Sequence, residues 1–144
     1  MLAKKITFTD YNGQERTETH YFNLEKNEIL EMDISQTGGL LEGVKRIIEA
    51  RNGKEIMRIF KDIILKSYGE KDLDGVHFVK SEELSRRFMQ SKAYDELFME
   101  LVTDDEAAAN FINGIIPEGF NVDESEVDKL KDELNINVPS KTEA

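Results

Sequence analysis

The sequence predicts an α+β fold, predominantly α-helical, with an N-terminal β-hairpin packed on a bundle of five to six helices. Three observations predict it. Residues 4–9 alternate in character and are rich in β-formers, and a second β-rich run at 15–22 follows an Asn-Gly turn. From Leu24 to Ile116, apolar residues recur mainly at spacings of three and four, the period of an amphipathic helix. The chain has 144 residues, enough for one domain. A chain of that size buries about 68–70% of its unfolded surface, so its core needs no disulfide or metal staple.

The elements follow in order. The hairpin, residues 4–22, turns at Asp10-Tyr11-Asn12-Gly13, where Asn-Gly accepts positive φ. Two strands alone are marginal, so the hairpin must pack on something. Asn23 reads as the N-cap of a first helix, about 24–34, with Leu24, Ile29, Leu30 and Met32 on its apolar side. Residues 35–39 break it. Leu40, Leu41, Val44, Ile47 and Ile48 carry a second helix, about 39–50, stopped by Asn52-Gly53. The third, about 53–68, has the widest stripe: Ile56, Ile59, Phe60, Ile63 and Ile64. Gly69 reads as its C-terminal stop.

Residues 70–80 read as a loop with a short strand at His77-Phe78-Val79. Ser81, followed by Glu82 and Glu83, reads as the N-cap of a helix at about 81–90. A bend at Gln90-Ser91 leads to a helix at about 91–102 carrying Tyr94, Leu97, Phe98 and Leu101. Thr103-Asp104-Asp105-Glu106 opens the last helix, about 104–116, and Pro117 ends it. Residues 1–117 are thus expected to form one globular domain. Residues 118–144 hold eight acidic groups and three lysines, with Val127, Leu130 and Leu134 at helical spacing. That composition predicts an acidic tail, weakly helical or disordered.

Nineteen basic residues against thirty acidic ones give a formal net charge of −11. Phosphate backbones are bound by Lys and Arg displacing counterions, so this balance argues against nucleic acid. It favours basic partners, and equally a well-solvated surface. The N-terminus lacks the apolar run of a secretory signal, and no stretch approaches the roughly 18–20 apolar residues of a membrane span. The lack of cysteine removes thiolate catalysis and thiolate zinc sites, and it fits a reducing compartment.

Few motifs suggest chemistry. Glu70, Asp72, Asp74 and Gly75 sit like the start of a calcium loop. The closing position holds Ser81 instead of a bidentate Glu, so an Asp-Gly turn is the better reading. His20 and His77 have no ligand-like spacing and read as structural or surface residues. Asp104-Asp105-Glu106 has the composition of a general acid–base cluster, but its place before a helix makes capping the better explanation. There is no phosphate loop, nucleophile elbow or paired-histidine zinc helix. No catalytic, cofactor-binding or metal residue is expected, and no cofactor.

Surface recognition is left. Phe60, Phe88, Tyr94, Phe98 and Phe111 are first of all core, because a helical domain this small must fill its interior. Some of them are also the available groove anchors in a chain without Trp. Met57, Met89 and Met99 are adaptable enough for an apolar partner, though gap filling is their commoner use. The candidate partner contacts are Phe88, Met89, Phe98, Phe111 and Ile115.

A resemblance sharpens the expectation. It lies in the runs Thr7-Phe8-Thr9-Asp10-Tyr11-Asn12-Gly13, Tyr21-Phe22-Asn23-Leu24, Glu28-Ile29-Leu30-Glu31-Met32 and Thr37-Gly38-Gly39-Leu40. It continues through Ile59-Phe60-Lys61-Asp62-Ile63-Ile64-Leu65-Lys66-Ser67-Tyr68-Gly69-Glu70-Lys71 and Phe78-Val79-Lys80-Ser81-Glu82-Glu83-Leu84. It closes with Ala93-Tyr94-Asp95-Glu96-Leu97-Phe98-Met99-Glu100-Leu101 and Phe111-Ile112-Asn113-Gly114-Ile115-Ile116-Pro117. In order and wording these runs resemble the tail assembly chaperones of siphophages that infect Gram-positive bacteria, over about residues 5–117.

The resemblance implies a non-structural protein of the host cytoplasm, absent from the mature virion. Such a protein binds the helical, apolar tape measure protein, keeps it soluble and helps recruit tail tube subunits. Many of the family occur with a longer form made by ribosomal frameshifting, which makes this chain a candidate short form and its longer form a candidate partner. Self-association is also expected, since several copies must cover one tape measure. Two other readings stand beside it: a structural tail protein retained in the virion, and an acidic DNA mimic that inhibits a host enzyme. Against mimicry, basic residues are interleaved with acidic ones up to Lys92.

Overall fold

The computed structural model describes residues 1–33, 49 and 53–117. The expected tail at 118–144 lies outside the described residues, and so, apart from Glu49, does the expected helix at 39–50. The described elements are β1 (Leu2–Thr9), β2 (Glu15–Phe22), α1 (Lys26–Asp33), α2 (Gly53–Ser67), β3 (Tyr68–Lys71), β4 (Phe78–Val79), α3 (Glu82–Met89), α4 (Lys92–Thr103) and α5 (Asp105–Ile115). Helix makes up about half of the described residues, so the fold is mixed α+β.

The sheet is larger than the sequence suggests. Four antiparallel strands lie in the order β1-β2-β3-β4. β1 starts at Leu2, two residues before the expected hairpin, and pairs along its whole length from Leu2↔Phe22 to Thr9↔Glu15. The turn is stabilised by Asp10. Its carboxylate accepts from the Asn12 N–H (2.8 Å), the Gln14 N–H (2.9 Å) and Arg16 Nε (2.6 Å). The positive φ falls on Gly13, at +82°.

Gly69 was expected to stop a helix; instead it lies inside β3. The helix ends at Ser67 and the chain passes straight into a strand that pairs with β2 (Tyr21↔Gly69, Phe22↔Tyr68) and with β4 (Glu70↔Val79, Lys71↔Phe78). Ser67, fully buried, is satisfied at this junction: its hydroxyl donates to the Ile63 carbonyl at 2.7 Å. The glycine is needed for space. A Cβ at Gly69 would sit 2.7 Å from Phe78 Cε2 and 2.8 Å from the Val79 carbonyl oxygen.

The first helix also begins later than expected. Its cap is Glu25, not Asn23: the Glu25 N–H donates to Glu28 Oε1 (2.8 Å), and the Ile29 N–H donates to the Glu25 carbonyl (3.0 Å). Asn23 and Leu24 have longer-range work. Their N–H groups donate to the carbonyls of Ser67 and Ile115, both at 2.8 Å, tying the start, middle and end of the described fold together. Ser81 and Asp104 cap as expected: Ser81 Oγ accepts from the Leu84 N–H, and Asp104 Oδ1 from the Glu106 and Ala107 N–H groups.

The helices cover one face of the β1–β2 hairpin. Ile6 and Phe8 of β1 and Phe22 of β2 point into a core completed by Leu24, Ile29, Phe60, Ile63, Ile64, Leu97, Leu101, Phe111, Ile112 and Ile115. α4 is central, touching β1, α2, α3 and α5. Lys80, just after β4, joins the sheet side to α1. Its ammonium donates to both oxygens of Glu28 (2.8 and 2.7 Å) and to the Asn23 carbonyl (2.7 Å), using all three protons.

Candidate functional site

An aromatic chain runs from the core to the surface. Phe111 meets Phe22 edge-on with centroids 5.2 Å apart, and Phe22 meets Phe88 at 5.7 Å. Tyr68 stacks on Phe88 at 4.3 Å, nearly parallel. Phe88 then meets Tyr94 at 5.8 Å, and Tyr94 meets Phe98 at 5.7 Å. Such pairs add about 0.5–1.5 kcal/mol beyond burial and fix the relative placement of β2, β3, α3 and α4. Partial burial of Tyr94, with smaller contributions from Asp62 and Asp95, raises the pKa of its hydroxyl.

This geometry sorts the candidate contacts. Phe88, Phe111 and Ile115 lie in the interior, at 4%, 3% and 0% exposure, so a partner reaches them only if the helices part. Phe98 is half-buried at the outer end of the aromatic chain, beside the half-exposed Met99. Met89 is half-buried and opens into a groove between α2 and α3.

That groove has a volume of about 510 Å³. Leu65 and Met89 form its apolar floor, and Asp62 and Lys66 on α2 face Glu82 and Arg86 on α3 across it. Ser85 holds the two walls together, its hydroxyl donating to the Leu65 carbonyl at 3.0 Å. The sequence pattern missed Leu65, which lies just beside the α2 stripe. The signal was there in Asp62/Lys66 and Glu82/Arg86, two pairs of opposite charges at spacing four flanking apolar residues.

Physically, the groove can take an amphipathic helix, with an apolar ridge on Leu65 and Met89 and charges of either sign at the rim. Covering two half-buried side chains contributes about 1 kcal/mol each, roughly half of what full burial gives. The side chains of the Asp-Gly turn are engaged locally. The Asp72 carboxylate holds the His77 ring (2.8 Å), Asp74 accepts from the Val76 N–H (3.1 Å), and Gly75 turns the chain at φ +78°. Among the described residues no three His, Cys, Asp or Glu side chains are grouped to hold a metal ion. Nor is any described helix long and apolar enough to cross a membrane.

Fold and groove together define a class: a small α+β domain with an open groove between two of its helices. Over residues 1–143 the sequence matches the family model described as phage tail assembly chaperone, and the chain belongs to that family. The match runs past Pro117 and through the acidic segment. A chaperone family points to a non-enzymatic role. No curated protein and no solved structure matches the chain.

Proposed function

We propose that this protein keeps the tape measure protein of a long-tailed phage of Gram-positive bacteria soluble in the host cytoplasm, helps recruit tail tube subunits, and leaves before the virion is complete. The observation that carries the reading is the family match across residues 1–143. The α2–α3 groove supplies a physical means: a tape measure exposes apolar helix surface that otherwise aggregates, and Leu65 and Met89 offer it an adaptable seat. Neither β-edge pairing nor catalysis is needed for this task, and no enzymatic step is part of the proposal.

Co-expression with the tape measure protein tests it. The wild-type chain should hold the tape measure in the soluble fraction, and Met89→Glu, which puts a charge on the groove floor, should release it to the pellet. Circular dichroism checks that the variant is folded. A tape measure equally soluble with and without the chaperone would end the reading. So would stoichiometric recovery of this chain from purified virions, which would make it a structural tail protein.

A further inference from the structure

The groove leaves one long feature of the fold unused, the outer edge of β1. β1 is an end strand of the sheet and is eight residues long. The Asp10 N–H donates to the Gln14 carbonyl at 2.8 Å, so Asp10 and Gln14 are a hydrogen-bonded pair. Such pairs alternate along an antiparallel ladder. Carried back through the register, Phe8, Ile6, Lys4 and Leu2 turn their backbone groups toward β2. Ala3, Lys5, Thr7 and Thr9 therefore turn theirs outward. The 2.9 Å contact between the Thr7 and Thr17 hydroxyls fits this parity, because side chains approach closest in the non-hydrogen-bonded pairs. Among the described residues nothing bonds to this outward row of four N–H and four C=O groups.

An open row of this kind is a template for a further strand. What lies beneath it selects the strand. A groove of about 300 Å³ lies beside the first half of β1, with Leu2 and Lys4 on its β1 side and Glu100, Asp104 and Glu106, together with Ala107, Asn110 and Phe111, on its helical side. Lys4 is already held by Glu100, with Nζ 3.2 Å from Oε1. Asp104 and Glu106 stay exposed, at the N-terminal end of α5. A second copy of this chain would set one acidic groove against another, and its C-terminal segment, with eight carboxylates and three lysines, carries the wrong sign.

We infer that the β1 edge is a second docking site, which takes an extended basic segment of another protein as a fifth strand. Backbone bonds from Ala3, Lys5, Thr7 and Thr9 would fix it, and its inward Lys or Arg side chains would lie over Glu106 and Asp104. This inference is independent of the helix-binding groove, which lies between α2 and α3.

The test uses the full chain and a ten-residue peptide alternating threonine with lysine. On ¹⁵N-labelled protein, the peptide should slow amide exchange of Ala3, Lys5, Thr7 and Thr9 at least tenfold and leave Lys4 and Ile6 unchanged. Thr7→Pro removes one outward N–H while sparing the β1–β2 bonds, a position where an edge strand accepts proline. It should abolish peptide binding in a chain that keeps its circular dichroism, and Glu106→Lys should weaken binding about tenfold. Four results would overturn the inference: no binding; equal binding of a threonine–glutamate peptide; binding unchanged in folded Thr7→Pro; or a concentration-dependent dimer that Thr7→Pro dissolves, which would make a second copy the occupant.

Discussion

Gly69→Ala separates two reasons for having a glycine. The new methyl carbon would stand 2.7 Å and 2.9 Å from two carbons of the Phe78 ring and 2.8 Å from the Val79 carbonyl oxygen. The ring is half-buried and can swing, but the carbonyl belongs to the strand that pairs with β3, so relief requires moving β4 itself. Overpacking of a well-packed site costs about 1–3 kcal/mol, and a backbone obstacle places this variant at about 2–3 kcal/mol. For a domain of this size that is a fall in Tm of about 6–12 °C. Gly13 and Gly75 are the contrast: each has open space where a Cβ would lie, but φ of +82° and +78°. Alanine there costs about 1–2 kcal/mol through backbone strain alone, and asparagine, which visits that region more readily, should recover part of it. Equilibrium unfolding in urea, with the slope checked for constancy, gives all three values. If Gly69→Ala lost less than about 0.5 kcal/mol, or if asparagine relieved position 69 as it relieves 75, the close-approach argument would be wrong.

Other expectations follow from single contacts. Lys80→Ala leaves a part-buried Glu28 without its cation and should cost about 1.5–3 kcal/mol, the range for hydrogen bonds to charged groups. A double-mutant cycle with Glu28→Gln should show coupling, and purely additive losses would mean the contact contributes nothing. His20 packs against Phe88 and Tyr68. Glu18 Oε1 is 3.4 Å from Nε2, near enough to attract but not aligned as a hydrogen bond. Burial therefore outweighs Glu18 and lowers the His20 pKa. The unfolded imidazole takes up its proton at about pH 6.5 while the folded one resists. Stability from this residue is complete above that pH and is lost as pH falls through the folded value. His20→Gln should flatten the stability profile below pH 6.5, and an unchanged slope would contradict the burial argument. Asp104→Ala removes the acceptor for two N–H groups of α5 and should cost about 1 kcal/mol in urea unfolding, against near-neutrality for the uncapping-free Asp105→Ala.

Local signals carried much of this fold. Alternation and Asp10-Tyr11-Asn12-Gly13 announce the hairpin, and Ser81 and Asp104 announce their helices, because turn and cap chemistry is settled within a few residues. β3 was not legible. Tyr68–Lys71 is too short to display a period of two, and it is a strand because β2 and β4 flank it. Asn23 looks like a cap, yet the helix starts only at Lys26, and the Asn23 side-chain amide donates to the Glu25 carboxylate at 2.6 Å instead of accepting from the first turn. The candidate surface shows the same limit. Phe88 and Met89 are neighbours in sequence, but about 100° of helical rotation sends one into the core and the other into a groove. Composition names the anchors; only packing says which way each one faces.

The amides of Asn23 and Leu24 make the exit of the hairpin depend on residues far along the chain: one on the carbonyl of Ser67, the other on that of Ile115. A buried N–H without its acceptor is costly, so trimming the end of α5 would be felt at the hairpin's exit and not only in the trimmed helix.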